Sequence, residues 1–131
     1  MTKPLAKQDD DVVAVDTHIV LIPSPSGPVP TPLPNPFRGP LSGGLSSTVF
    51  ADEKAAATVD STAQNASPHV PQGGSFQNPP KNEAKIIQGS GTVFIDDKAA
   101  ARLGDPADTC NDPSDLPIGK VIASGTVLAG D

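Results

Sequence analysis

The apolar residues of this chain fall in short runs, and polar, turn-forming residues separate them. The runs at 12–15 and 92–95 are rich in Val, Phe and Ile, and acidic residues follow each of them directly. Short β-branched and aromatic runs bounded by Gly, Pro, Asp or Asn are typical of strands. The pattern therefore predicts an all-β chain built from short strands.

One ten-residue pattern occurs twice, at an offset of 44 residues. Segments 48–57 and 92–101 agree at eight of ten positions, reading Thr-Val-Phe, then an acidic pair, then Lys-Ala-Ala-Ala. Alanine-rich low complexity does not explain the matched Thr-Val-Phe and Lys. Self-similarity at a fixed period indicates a repeated structural unit.

Each copy favours a β-hairpin whose turn is the acidic pair, Asp52-Glu53 in the first copy and Asp96-Asp97 in the second. A strand-like run precedes the pair, and the stretch behind it is short. Asp is tolerated in two-residue hairpin turns, although Asn-Gly is the stronger signal. A helix is the alternative, because Asp-Glu-Lys-Ala-Ala-Ala has a high intrinsic helix propensity.

A third, incomplete copy starts at residue 124. Residues 124–131 repeat the pattern of 90–97 up to the turn, and the second strand is missing. The apolar run at 12–16 has the length to supply that strand, which would pair the two chain ends and close a ring of three similar units. This hypothesis predicts that deletion of residues 1–16 unfolds the whole domain.

Turn-rich segments connect the repeats. Segment 23–40 holds eight of the sixteen prolines and is expected to be a stiff, extended surface loop within the domain. Segments 71–80 and 111–117 are expected to be further loops, and residues 1–11 an N-terminal tail. We expect residues 1–131 to form a single domain.

The composition leaves little material for a core. Leu, Ile, Val and Phe contribute 30 of the 131 residues, Gly and Pro contribute 28, and Trp and Tyr are absent. The single cysteine cannot form an internal disulfide bond. Small domains with so little core depend on a metal or on a partner for part of their stability.

The charge balance argues against two classes of partner. With 9 basic and 15 acidic residues the net charge is −6, which disfavours binding to nucleic acid and to anionic membrane. No apolar run reaches the roughly 18 residues that a membrane helix needs, and the first ten residues do not resemble a secretory signal. We expect the protein to be made and folded in the cytoplasm.

Histidine and cysteine occur once per repeat and nowhere else. His18, His69 and Cys110 are spaced by 51 and 41 residues, close to the repeat period. A three-fold arrangement would therefore bring all three to one axis. Imidazole and thiolate ligands favour zinc, with iron as the alternative, and argue against oxygen-preferring ions. The sequence thus predicts a shared metal site.

A four-coordinate ion needs one more ligand. Water, a backbone carbonyl and the carboxylates of Asp16, Asp108 and Asp112 are all candidates. Taken singly, a histidine in a loop is usually solvated and a lone cysteine is usually a small buried apolar residue. The regular spacing of all three is what favours a common site.

Catalysis is not expected of this chain, so we predict no enzyme. It lacks a Ser-His-Asp order, a phosphate-binding Gly loop, and paired carboxylates in a supporting context. A hydrolytic zinc would need a base and a substrate pocket, which thin loops do not supply. A structural metal, which adds folding free energy on the order of 10 kcal/mol, suits a domain with a small core.

Segment 89–105 resembles a known family. It reads Gly-Ser-Gly, a Val-rich strand, an acidic turn, the return strand Lys-Ala-Ala-Ala-Arg and then Leu-Gly-Asp, with Cys110 shortly after it. Segment 118–127 opens the next unit in a similar way. This pattern is similar to the PAAR-repeat family, the conical tip proteins of contractile injection machines. Weaker copies extend the resemblance from about residue 12 to residue 131.

The resemblance implies a fold and a metal site. The fold is a small all-β cone of three β-hairpins with pseudo-three-fold symmetry and long Pro- and Gly-rich loops. A metal ion lies near its apex, and the ligands carried over are His18, His69 and Cys110. Family members commonly have three histidines and one cysteine, whereas this chain has only these three residues, so the fourth ligand stays open.

The resemblance also implies a structural function. The chain would cap and sharpen a trimeric β-helical spike, VgrG-like or phage-spike-like, with one tip per spike trimer, and help it pierce the target membrane. It would be assembled at the tip of the particle or tail, touch the target membrane transiently, and be delivered outside or into the target cell on firing. The expected spike interface lies at 49–50, 93–94 and 127–128.

The long Pro-rich connection at 23–40 suggests a variant tip, from an extracellular injection particle or a phage-like tail rather than a typical type VI secretion system. No toxin extension is expected, so effector cargo would bind separately. The competing interpretation is a free-standing zinc-binding module or metal-dependent enzyme, which would need exchangeable metal and activity without a partner.

Overall fold

A computed structural model describes residues 2–131, which form strands and turns and no helix. The strands are β1 (Lys3–Pro4), β2 (Asp11–Ile22), β3 (Val29–Gly43), β4 (Phe50–Ala51), β5 (Lys54–Ala55), β6 (Thr62–Gln64), β7 (Ser75–Phe76), β8 (Glu83–Ile86), β9 (Phe94–Ile95), β10 (Lys98–Ala99), β11 (Pro106–Thr109), β12 (Leu116–Ile122) and β13 (Leu128–Ala129). Within this described part, nothing has the helical length and hydrophobicity needed to cross a membrane. The prediction of an all-β fold is confirmed.

Six strands close into an antiparallel barrel. Their order is β12-β11-β8-β6-β3-β2, and β2 returns to β12 through pairs such as Val13 with Lys120. β7 pairs with the far end of β2. In the closed barrel, each strand pairs with a neighbour on both sides. This pairing leaves no free edge on β6, β8 and β11, which are only three or four residues long.

Three two-stranded hairpins emerge at one end of this barrel. β4 and β5 pair between β3 and β6, β9 and β10 pair between β8 and β11, and β13 pairs with β1 where β12 and β2 meet. Because β3, β8 and β12 run in the same direction, all three hairpins leave at the same end. The predicted cone of three hairpins is therefore confirmed.

The acidic pairs form the hairpin turns, as predicted. Asp52 and Glu53 have φ of 49° and 69°, and Asp96 and Asp97 have φ of 52° and 66°. Two consecutive residues with positive φ are the requirement of a type I′ turn, whose twist matches that of paired strands. Tertiary pairing thus overrides the helix propensity of the sequence around these turns.

The third hairpin is closed by a different segment from the one expected. β13 pairs with β1, so that Lys3 lies opposite Ala129 and Pro4 opposite Leu128. The prediction that 12–16 supplies this strand is wrong, because those residues belong to β2 and pair with β3. Their alternating inward and outward side chains fit a barrel strand better than a short hairpin arm.

The N-terminal segment is part of the fold. The expectation of a tail at 1–11 is wrong for its described residues, because Leu5 and Ala6 are buried and β1 completes a hairpin. Lys-Pro-Leu-Ala at 3–6 occupies the place that Lys-Ala-Ala-Ala occupies in the other two units.

The three return strands meet on a pseudo-three-fold axis. The backbone N–H of Ala6 donates to the carbonyl of Ala101 (2.9 Å), that of Ala101 to Ala57 (3.0 Å), and that of Ala57 to Ala6 (2.9 Å). All three residues are fully buried. Alanine suits this point, because three backbones lie within hydrogen-bonding distance of one another and leave little space for side chains.

The equivalence of the units extends to the turn behind each of these alanines. In every unit the next N–H donates to a side chain three positions later: Lys7 to Asp10 (3.1 Å), Thr58 to Ser61 (3.0 Å) and Arg102 to Asp105 (2.7 Å). The acceptor is a carboxylate in two units and a hydroxyl in the other, but the same i to i+3 hydrogen bond forms in all three.

The core is small, as the composition requires. Alanine is its most frequent residue, and the large fully buried apolar side chains are few: Val12, Val20, Phe37, Leu41, Ile86 and Val121. Leu41, Ile86 and Val121 are equivalent, since their carbonyls accept the N–H groups of Asp9, Asp60 and Gly104 in the three units. Backbone pairing compensates for the shortage of apolar contact.

The Pro-rich segment is a strand, which corrects the expectation of a surface loop at 23–40. From Val29 onward it pairs with β2 over twelve residues, with Pro30, Pro32, Pro34 and Pro36 at alternate positions. Proline cannot donate to a ladder, so this period of two puts every proline where its N–H would point away from β2. The outer edge of β3 therefore carries carbonyls without donors and resists pairing with another strand.

We expect glycine at the second turn position to stabilise the fold. Glu53→Gly and Asp97→Gly relieve a side chain held at positive φ, so each should raise the free energy of unfolding by about 1 kcal/mol. The first turn positions are kept, because their carboxylates accept hydrogen bonds. Urea unfolding measures the effect.

Lys54→Gly is the matched control for these variants. It lies next to the turn at an ordinary strand φ, so glycine there should destabilise by about 0.5–1 kcal/mol. Destabilisation by both turn variants would contradict the assignment of a strained type I′ turn.

Candidate metal centre

Asp16 and His18 reach the interior from the same strand. β2 alternates inward and outward side chains, and its buried positions include Val12, Asp16, His18 and Val20. Residues two apart on a strand share a face, so the carboxylate and the imidazole point to the same side. Strand periodicity therefore fixes half of the site.

His69 and Cys110 approach from loops. His69 lies between β6 and β7, and its backbone N–H donates to the Asn82 side chain (2.8 Å). Cys110 directly follows β11. The structure thus brings together all three of the metal ligands expected from the sequence, and adds Asp16.

The four side chains form a compact, buried cluster. Each offers one ligand atom, and these atoms all lie within 4.8 Å of one another. Nε2 of His69 is 2.8 Å from Oδ2 of Asp16, and Sγ of Cys110 is 3.6 Å from the same oxygen. Such a group can hold one metal ion.

The carboxylate of Asp16 is oriented by its other oxygen. Oδ1 accepts hydrogen bonds from the Thr109 hydroxyl (2.5 Å) and from Nδ2 of Asn111 (3.3 Å). Oδ2 is left to face His69 and Cys110. A monodentate oxygen ligand held by neighbours in this way is a familiar arrangement at metal sites.

The structure separates the three carboxylates that the sequence left open as a fourth ligand. Asp16 belongs to the cluster. Asp108 lies on β11, opposite Lys85 of β8 and between the buried Ala107 and Thr109, so its side chain faces outward. Asp112 stands beside His18 but is not one of the clustered four. Asp16 and His18 have i, i+2 spacing, but so do Asp108 and Cys110, so the sequence carries no signal that separates these carboxylates.

His18 supplies the test of whether a metal fits. Both of its ring nitrogens are buried without a hydrogen-bond partner among the described residues. An unsatisfied buried polar group costs about 1–3 kcal/mol, and a metal ion would satisfy one of the two nitrogens. Two imidazoles, one thiolate and one carboxylate match the tetrahedral coordination of zinc.

Burial sets the charge of two of these groups. It lowers the pKa of His18, against the opposing influence of Asp112, so the imidazole is neutral and free to act as a ligand at neutral pH. Burial, with the nearby Asp16 carboxylate, raises the pKa of the Cys110 thiol. The thiol therefore keeps its proton until a metal displaces it.

A crevice of about 620 Å³ reaches the cluster from one side. Two loops line it, residues 78–81 and 110–115, and His18 and Cys110 lie at its inner end. Lys81 and Asp115 form an ion pair of 2.5 Å across the loops. The site is therefore buried but lies next to solvent along this route.

Comparison with protein families identifies the fold. The sequence model of the PAAR motif matches residues 22–110, about two thirds of the chain. The chain belongs to the PAAR motif family. Members have a structural rather than enzymatic role as spike tips of contractile injection systems, where they sit on spike proteins. No curated protein matches this PAAR chain.

The match covers two of the clustered residues. His69 and Cys110 fall within 22–110, whereas Asp16 and His18 precede it. Asp16 and His18 come instead from β2, the strand that follows the third hairpin. Each of the three hairpin units is thus followed by at least one residue of the cluster.

We expect the purified PAAR protein to hold about one metal ion per chain, and to lose it in Asp16→Ala, His18→Ala, His69→Ala and Cys110→Ser. Structural zinc adds folding free energy on the order of 10 kcal/mol to small domains, so each variant should also melt at a clearly lower temperature. Elemental analysis and calorimetry measure the two effects. Asp108→Asn, on the outward face of β11, should keep both metal and stability; a metal-free wild type would refute the site.

We also expect zinc affinity to rise with pH. Zinc must displace the proton of the Cys110 thiol, whose pKa is raised, whereas the neutral His18 has none to release. The apparent affinity should increase about tenfold per pH unit below the thiol pKa. Competition with a chelator between about pH 6 and pH 8 measures this. A flat wild-type profile would argue against thiolate ligation.

Proposed function

We propose that this PAAR protein caps a trimeric β-helical spike, with its three hairpins seated on the spike and the metal centre pointing outward. One observation carries the proposal. Phe50, Phe94 and Leu128, at equivalent positions of the three hairpins, are 61%, 60% and 55% exposed. Large apolar side chains so exposed, and repeated around an axis, favour a partner with three-fold symmetry.

Neighbouring side chains enlarge this apolar surface. Val49 and Val127 are also exposed, whereas Val93 is partly buried against the small cluster beneath the hairpins. The expected interface positions thus lie on the hairpins at one end of the molecule, and most of them are exposed. A spike end built from open strand edges would be shielded by covering this surface.

The hairpins are locked to one another in a cycle. The Asp96 carboxylate accepts hydrogen bonds from the hydroxyls of Ser46 (2.6 Å) and Thr48 (2.5 Å) in the first unit. Asp52 accepts from the N–H (3.0 Å) and the hydroxyl (2.5 Å) of Thr126 in the third. Through these bonds the pKa of each carboxyl is lowered, so both stay charged in mild acid.

The third link uses a backbone acceptor. The hydroxyl of Ser90, in the second unit, donates to the carbonyl of Gly130 (2.6 Å), which stands where the other units have Asp52 and Asp96. Each turn is thereby fastened to the next unit. A platform tied in this way keeps its three apolar contacts at fixed separations, as binding to a rigid trimer requires.

The metal centre lies far from this platform. Along β2, His18 lies seven positions beyond Asp11, which is next to the hairpin end, and this is roughly 23 Å at about 3.3 Å per residue. Zinc, with iron as the alternative, would cross-link β2, the end of β11 and the loop that carries His69. A rigid, cross-linked outer end suits a part that is driven through a membrane.

The proposal includes where the protein acts. It is made in the cytoplasm, joins the particle at the spike tip, contacts the target membrane transiently and leaves with the spike on firing. Effector cargo binds separately. The family role supports this course of events.

The crevice beside the cluster favours one competing function, a free-standing module that exchanges zinc. Such a module needs solvent access to the ion, and the crevice ends at two of the clustered residues. The exposed three-fold apolar end has no role in that function. If the metal-loaded chain binds the spike and the complex passes no zinc to an acceptor chelator, the spike-tip function is supported over the zinc-exchanging module.

We expect Phe50→Asp and Phe94→Asp to abolish binding to the trimeric spike protein of the same injection system. An aspartate at either site places an unpaired charge in the apolar contact, and truncating such a contact costs about 2 kcal/mol or more. Both sites are solvent-exposed, so the free protein should melt as before. Light scattering on the purified complex should give one tip per spike trimer for the wild type.

Ile118→Asp is the matched control, since Ile118 is an exposed apolar residue on the barrel side, in β12. It should bind the spike like the wild type. Unchanged binding by the two Phe variants, or equal loss in the control, would refute the assignment of the hairpin end as the interface.

A further inference from the structure

Asp112 holds β2 on both sides of His18. Its backbone N–H donates to the carbonyl of Thr17 (2.9 Å), and its side-chain Oδ2 accepts the N–H of Ile19 (2.8 Å). Asn111 adds a third link, since its side-chain oxygen accepts the N–H of Thr17 (2.7 Å). The segment after Cys110 is thus fastened to the strand at the residues that flank His18.

The same carboxylate oxygen lies beside the imidazole. Oδ2 of Asp112 is 3.6 Å from Nδ1 of His18, and the two side chains are 7% and 1% exposed. This distance is too long for a hydrogen bond, and a small rotation of the ring would close it. A carboxylate oxygen has two lone pairs, so it can accept from Ile19 and from His18 together.

Besides Asp112, two rings lie next to the His18 imidazole. The ring of Phe76 meets the imidazole edge-on at 5.6 Å between centroids, and the ring of His69 lies at 5.0 Å. Phe76 cannot accept the proton as a carboxylate does, and His69 belongs to the cluster itself. Within residues 2–131, the one ion-pair contact of His18 is with Asp112.

We propose that Asp112 is a positioning residue for the metal centre, which accepts the Nδ1 proton of His18 and so turns Nε2 toward Asp16, His69 and Cys110. The hydrogen bond made by one ring nitrogen decides which nitrogen is free to bind a metal. The proposal rests on the metal centre described above. It requires no contact between Asp112 and the ion.

Asp112→Asn in the full chain tests this role. The amide keeps the shape and an oxygen for the N–H of Ile19, and it removes the negative charge that strengthens the bond to His18. Titration with zinc against a chelator should show about tenfold to a hundredfold weaker affinity at an unchanged one ion per chain. Asp115→Asn, in the same loop and paired with Lys81, should bind zinc like the wild type.

A spectroscopic measurement on the zinc-loaded wild type keeps the proposal falsifiable if the variant fails to fold. The ¹⁵N shifts of the His18 imidazole should show a protonated Nδ1 and a metal-bound Nε2. Metal on Nδ1, or wild-type zinc affinity in Asp112→Asn, would overturn the proposal. A wild type that binds no zinc would overturn it together with the metal centre. The spike-binding test would stand independently in each of these cases.

Discussion

Three peptide hydrogen bonds close on one another around the pseudo-three-fold axis, from Ala6 to Ala101, from Ala101 to Ala57 and from Ala57 back to Ala6. The rest of the fold depends on this cycle. Each bond joins two different units, so no hairpin can leave without breaking two of them. The cycle also fixes the direction of the barrel strands that follow each hairpin, and those strands carry the metal cluster to the other end.

The two ends of the molecule are held by different means. At the hairpin end, backbone bonds and the carboxylate contacts of Asp52 and Asp96 fix the geometry without large side chains. At the far end, strand β2 is tied to the residues after β11 through Asn111 and Asp112, and the clustered side chains are buried together. A chain this poor in large apolar residues needs both means, because burial alone supplies too little free energy to order it.

The parts of this fold that repeat could be predicted from the sequence, whereas the parts that occur once could not. The two complete hairpins follow from the duplicated Thr-Val-Phe and Lys-Ala-Ala-Ala. The third return strand was missed, because Pro4 and Leu5 replace alanines there and the run at 12–16 looked more strand-like. The prolines of β3 suggested a loop, since their period of two gains its meaning only when a partner strand shows which edge they face.

The candidate site was predictable to a similar degree. Spacing brought His18, His69 and Cys110 together, but it could not choose among three acidic residues near them. Asp108 and Cys110 are two apart like Asp16 and His18, but β11 ends at Thr109. Asp108 therefore alternates outward within the strand, whereas Cys110 lies beyond its end and is buried. A shift of one residue in where a strand ends changes which side chains face the interior. Tertiary pairing, rather than local sequence, sets where the strand ends.

The paired strands β2 and β3 are far longer than their counterparts in the other two units, so the outer end of the molecule has no three-fold symmetry although its base does. In the proposed complex, a symmetric trimer would offer such a tip three seatings of equal energy, and each particle would adopt one of them at assembly. A population of particles would then be an even mixture of three orientations. An image averaged with the symmetry of the spike would spread this long hairpin over three places at a third of its density each, and every tip in it would look rounder than any single tip is.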